Sequence, residues 1–288
     1  MLGIIGGTGL TRLANLEITH RQVVRTPYGE PSGALTFGQI CDQEVVFLAR
    51  HGYGHTIPPH EVNYRANIWA LREEGVDRIA SVATVGGIHP DLVAGTLVVP
   101  DQIIDYTWGR AHTFFVSGDR TVVHQDFTYP YCRDMREMIL TAAREAGIAV
   151  RDGGTYACVQ GPRLETAAEI NRFEREGADM VGMTAMPEAY LAQEIGICYA
   201  SIGVVANEAA GRGAARPAPS SAAMVSSRSA TRACSSGVSK RLTGTLTASR
   251  RGSPIFRTSR TAMRMLRTVH NSAHSGSPDA PAGAAPRA

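Results

Sequence analysis

Five short stretches of the chain combine residue types suited to holding an oxyanion and a small polar ligand. Gly6-Gly7-Thr8-Gly9 follows the first apolar run, where small residues let backbone N–H groups approach an anion and the Thr8 hydroxyl can donate to it. Arg50-His51-Gly52 follows a second apolar run, and Arg is the side chain suited to bidentate phosphate recognition. Thr84-Val85-Gly86-Gly87 closes a third with another glycine-rich turn. Gly161-Pro162-Arg163-Leu164-Glu165-Thr166 and Val181-Gly182-Met183-Thr184-Ala185-Met186-Pro187-Glu188 each lead into a helical pattern. Taken singly, the glycine clusters read more simply as tight turns, Glu165 as an acid at a helix N-terminus, and Asn207 as a turn residue.

Two other chemistries are disfavoured by spacing. His51, His55 and His60 lie within ten residues, but on a loop broken by Pro58 and Pro59, with no helical spacing and no nearby carboxylate set to complete a metal site. Gly7-x-Gly9 is followed by Arg12 where a dinucleotide fingerprint needs its third glycine, and no Walker A sequence is present.

The elements that must position these residues alternate in type. Short apolar runs over 2–5, 45–49, 78–85, 96–99, 154–159 and 199–206 predict strands, and their apolar continuity suits a sheet covered on both faces. Helices are expected over 61–74, 134–146 (ended by Gly147), 165–176 (ended by Gly177) and 188–195 (ended by Gly196). The pattern predicts a three-layer α/β domain.

Together the five motifs, with Val62-Asn63-Tyr64-Arg65-Ala66-Asn67, resemble the trimeric purine nucleoside phosphorylase and methylthioadenosine phosphorylase family over residues 1 to about 211, in order and spacing. Within it the chain is most similar to bacterial S-methyl-5'-thioinosine phosphorylases. The resemblance implies a mixed central sheet flanked by helices, and a homotrimer with sites at subunit interfaces. It implies phosphate contacts by Thr8, Arg50, His51, Thr84, Val85 and Thr184, ribose packing by Met183, and a loosely matched His124 lent to the neighbouring subunit's 5'-pocket. Relatives acting on 6-oxopurines carry Glu and Asn where Glu165 and Asn207 stand, and 6-aminopurine relatives carry a small residue and Asp. The chemistry supports that split, because a carboxylate accepts from the N1–H that hypoxanthine has and adenine lacks. The implied reaction is phosphate-dependent cleavage of S-methyl-5'-thioinosine to hypoxanthine and 5-methylthioribose 1-phosphate, with inosine, guanosine and methylthioadenosine as alternative substrates. Inorganic phosphate is then a co-substrate, and neither a cofactor nor a metal is expected.

The chain changes character at about residue 211. Residues 1–211 carry no Lys, 16 Arg and 25 acids, whereas residues 212–288 carry 13 Lys+Arg, one acid and 14 Ser. The basic excess sits wholly in this second part, so the acidic body is not a polyanion binder by charge. In the resembled family an amphipathic helical region follows the Asn and closes the nucleoside pocket, and nothing of that kind follows Ala209-Ala210-Gly211. Residues 212–288 are read as a disordered, low-complexity tail with the composition a G+C-rich gene gives out of frame, that is, a frameshift near codon 211. A genuine Arg/Ser tail that binds nucleic acid, leaving the body an inactive scaffold, is the rival reading. Five Cys without a CxxC pair predict reduced thiols, and the absence of a signal sequence or an 18-residue apolar run predicts a soluble cytoplasmic protein with no membrane partner.

Overall fold

The computed structural model describes residues 1–7, 16–41, 43–116, 124–213, 264 and 266–271. Four parallel strands form its centre: β1 (Leu2–Gly6), β4 (Gln43–Ala49), β5 (Arg78–Gly87) and β11 (Cys198–Glu208). β1 pairs with β4 from Leu2↔Val45 to Gly6↔Ala49 and with β5 from Leu2↔Arg78, and β5 pairs with β11 from Arg78↔Cys198. All four therefore end at one rim, with a bulge in β11 between Val205 and Asn207. Along β1 and β4, alternate residues enter opposite cores. Ile5, Val46 and Leu48 join the cluster under α1 (Tyr64–Glu73) and α4 (Ala185–Glu194), while Ile4, Val45 and Phe47 join the cluster under α2 (Arg133–Ala146). This period of two with both sides apolar is what a sheet between two helical layers requires, and each fully buried side chain of this size contributes roughly 1.5–3 kcal/mol.

Antiparallel additions make the sheet mixed. β2 (Glu17–Gln22) and β3 (Leu35–Ile40) extend the β4 edge, and β6 (Leu97–Val99) pairs antiparallel with β11 and parallel with β8 (Val150–Asp152). β10 (Met180–Gly182) meets the end of β5 antiparallel and continues through β9 (Thr155–Cys158) to β7 (Gln102–Asp105). Five of these, β2, β3, β7, β8 and β10, were not expected from sequence. β2 is exposed along its whole length and so has no apolar run to betray it, while β8 and β10 have three residues each.

Local chemistry sets the helix starts. α1 begins at Tyr64 rather than Glu61 because the Asn63 side chain accepts from the Ala66 N–H and caps the first turn. α3 (Ala167–Arg175) begins with a capping box, in which the Thr166 hydroxyl accepts from the Glu169 N–H and the Glu169 carboxylate accepts from the Thr166 N–H.

Two expectations need correction. Cys132 and Cys198 form a disulfide, 66 residues apart in sequence, instead of remaining thiols. The Cys132 N–H donates to the Tyr199 carbonyl at 2.8 Å, so the start of α2 is tied beside the start of β11, a proximity that no local spacing encodes. The inference from free thiols to a reducing compartment is thereby lost. Within the stretch expected to be structureless, residues 266–271 are helical, and Leu266 and Val269 are buried in the cluster under α2. Among the described residues no helix is long and apolar enough to cross a membrane.

Candidate active site

The carboxyl rim of the parallel strands opens into a cavity of about 670 Å³. Ligands in open α/β sheets bind at this position because the loops that leave the strand ends splay apart there. Gly7 after β1, Arg50 and His51 after β4, Thr84, Val85 and Gly86 in β5, Met183 and Thr184 after β10, and Asn207 in β11 all line it. Glu165 reaches it from the loop before α3. Six segments scattered over 200 residues of sequence converge here because the sheet topology places their ends side by side.

Arg50 is 1% exposed and its guanidinium is largely committed. Nε donates to Glu188 Oε1 at 2.8 Å and Nη2 to Glu188 Oε2 at 2.8 Å, closing a bidentate pair. Nη2 also donates to Ser81 Oγ, and Nη1 to the Val82 carbonyl at 3.0 Å. With four of the five N–H groups of an arginine used, one on Nη1 is left for an anion, so the fork expected to grip phosphate grips Glu188. Glu188 is wholly buried and accepts further bonds from Ser81 Oγ and the Tyr199 hydroxyl at 2.8 Å each. Burial opposes its ionisation, but attraction to Arg50 and these donors outweigh it, and the carboxyl is held below its ordinary range. Gly7 is obligatory beside this pair, since a Cβ there would lie 2.6 Å from the Val82 carbonyl and 2.9 Å from Arg50 Nη1.

His51 is 6% exposed. Burial and the neighbouring Arg50 lower its imidazole to about 4, so it is neutral at pH 7. Its Nδ1 lies 2.8 Å from the Ile57 carbonyl, which can only accept, and this fixes the proton on Nδ1. Thr184, 7% exposed, opens α4, and Met183 stands before it. Their chain segment is held by Arg110, a residue that no sequence motif marked. Arg110 donates from Nη1 to the Met183 carbonyl at 2.8 Å and to the Met186 carbonyl, and from Nη2 to the Gln160 carbonyl at 2.9 Å. It lies outside any helix or strand, in the segment after β7, where a single arginine carries no sequence signal.

At the far end, Glu165 is half-buried and its carboxyl is raised, mainly by that burial. It sits just before the α3 cap, and Glu169 rather than Glu165 serves the helix N-terminus. Asn207 is exposed on the cavity wall and its Nδ2 donates to the Glu208 carbonyl at 2.6 Å. His124 is exposed and lies outside the cavity lining of its own chain, and Thr8 lies outside the described residues. Glu188, Ser81 and Tyr199 are the other members of the site that sequence reasoning did not assign. Ser81 and Tyr199 lie inside strands, where only the fold shows that they face a buried carboxylate.

The phosphorylase superfamily model matches residues 1–239. The chain belongs to the phosphorylase superfamily. Among the superfamily's curated members, a probable S-methyl-5'-thioinosine phosphorylase from Pseudomonas syringae pv. tomato is 53% identical over 212 residues, 74% of this chain and 86% of the relative. A 6-oxopurine nucleoside phosphorylase from Pyrococcus furiosus is 48% identical over 215 residues, 73% of this chain and 80% of the relative. Among superfamily structures, a mutant adenosine/methylthioadenosine phosphorylase from Schistosoma mansoni in complex with adenine superposes with a TM-score of 0.71 at 37% identity, covering 73% of this chain and 81% of that one.

Proposed function

We propose that the protein cleaves a 6-oxopurine nucleoside with phosphate, with S-methyl-5'-thioinosine, the nucleoside in the name of its Pseudomonas syringae relative, as the preferred substrate. The observation that carries this reading is that Glu165 and Asn207 stand on the same cavity as His51, Thr84 and Thr184. A pair suited to base recognition and a set of oxyanion-binding groups are thus available to one bound molecule. In this reading phosphate is held by Thr84, Thr184, the remaining N–H of Arg50 and, with the loop after β1, Thr8. An oxygen of the phosphate attacks C1' while the glycosidic bond lengthens toward an oxocarbenium-like state, and the bonding pair leaves with the purine. Positioning and charge placement supply the acceleration. Asn207 stabilises the charge building on N7 and O6, and Glu165 accepts from N1–H.

A 6-aminopurine has no N1–H and leaves the Glu165 acceptor unpaired, at about 1–3 kcal/mol or roughly fivefold to 150-fold in specificity. The superposition on an adenine-binding relative favours methylthioadenosine as the second reading, and Glu165 argues against it. Nothing in this chemistry calls for a cofactor. A homotrimer, the assembly that the resemblance to trimeric purine nucleoside phosphorylases implies, is taken as the working state. Base release from 5'-methylthioinosine, inosine, guanosine and 5'-methylthioadenosine, each with and without phosphate, tests the reading. Phosphate-dependent hypoxanthine release, fastest from the methylthio substrate, is expected; equal release from the adenine nucleoside, or release without phosphate, would overturn it.

A further inference from the structure

The oxyanion end of the cavity has an unusual balance of donors and acceptors. Arg50 and Glu188 cancel each other's charge at 2.8 Å. Among the described residues that line the cavity there is no other Arg or Lys, and Glu165 and Glu208 also line it. His51 is locked with its proton on Nδ1 by the Ile57 carbonyl, and its Nε2 has no protein partner among the described residues. Nε2 of a neutral ring in that tautomer is a hydrogen-bond acceptor. A threonine hydroxyl can both donate and accept, whereas His51 Nε2 in this tautomer can only accept.

We propose that His51 makes the oxyanion subsite selective for an anion that still carries a proton, such as phosphate or arsenate, against one that carries none, such as sulfate. The proposal deepens the phosphorolysis reading and rests on it. A P–OH group donates to Nε2 while the remaining oxygens accept from the threonines and from Arg50 Nη1. Sulfate, having no proton at neutral pH, sets an oxygen lone pair against the Nε2 lone pair. A mispaired buried acceptor of this kind weakens binding about ten- to a hundredfold. The groups that face the ring are Arg50, Glu188 from α4 and the exposed His55 of the same loop. As pH falls toward the value of about 4 at which the ring gains its second proton, Nε2–H becomes a donor and the discrimination against sulfate closes.

The test measures thermal stabilisation of the full chain by phosphate, arsenate and sulfate between about pH 7.5 and pH 5, alongside sulfate inhibition of phosphorolysis. Expected are similar affinities for phosphate and arsenate, sulfate about ten- to a hundredfold weaker at pH 7.5, and a sulfate affinity that tightens on acidification while that of phosphate does not. His51→Gln, whose amide can donate, narrows the phosphate-to-sulfate ratio about tenfold, and His55→Gln leaves it unchanged. Equal binding of sulfate and phosphate at pH 7.5 by a chain that performs phosphorolysis would overturn the role of His51 alone. Base release independent of phosphate would overturn the phosphorolysis reading instead.

Discussion

Replacing Glu188 with Gln removes one partner of a pair in which both side chains are almost wholly buried, 1% exposed for Arg50 and 0% for Glu188. The carboxylate accepts from Arg50 Nε and Nη2, Ser81 and Tyr199, so the amide leaves the guanidinium charge uncompensated and turns an acceptor into a donor facing donors. Breaking such a buried pair costs about 3–5 kcal/mol. For a domain of this size 1 kcal/mol corresponds to about 2–4 °C, so the melting temperature should fall by about 6–20 °C. Circular-dichroism melts of Glu188→Gln, Glu188→Leu, Arg50→Met and the double variant Arg50→Met/Glu188→Leu form the assay. The double variant should be more stable than the sum of the single changes predicts, because removing both charges together leaves neither stranded. The wild type supplies an independent arm. The carboxyl of Glu188 is depressed in the folded state, so its contribution is present at neutral pH and is lost as pH falls through the folded value. The reasoning would be refuted by a Glu188→Gln variant within about 1 kcal/mol of wild type, since the pair would then be solvated rather than buried.

Three further perturbations probe other parts of the structure. Asn207→Asp should raise turnover of 6-aminopurine relative to 6-oxopurine nucleosides by about tenfold or more, read from the kcat/KM ratio; an unchanged ratio removes Asn207 from base recognition. Cys132→Ser should lower stability by up to about 4 kcal/mol for the 66-residue separation, measured by denaturant titration under oxidising conditions; equal stability with and without reductant would show that the bond does not constrain the chain. Leu266→Ala should cost about 2–5 kcal/mol, because Leu266 is fully buried in the same apolar cluster as Ile139 and Ala143 of α2, and a neutral result would mean that residues 266–271 do not pack there.

Apolar runs alternating with helical stripes are legible along the chain, and with them the three-layer architecture. Strands such as β1 and β4 announce themselves because both faces are buried, which makes the run continuous; β2, exposed on both faces, leaves no such trace. The motifs that carry chemistry were equally legible, since an anion cradle needs glycine and hydroxyl residues next to one another in sequence. Only the tertiary structure decided how those residues are used. Arg50 read as a phosphate fork, and Glu188, 138 positions away, occupies that fork. Arg110, Ser81, Tyr199 and the Cys132–Cys198 bond were silent because hydrogen-bond partners and disulfide pairings are chosen by which strand ends lie side by side. That adjacency is a property of sheet order, which residue spacing along the chain does not record.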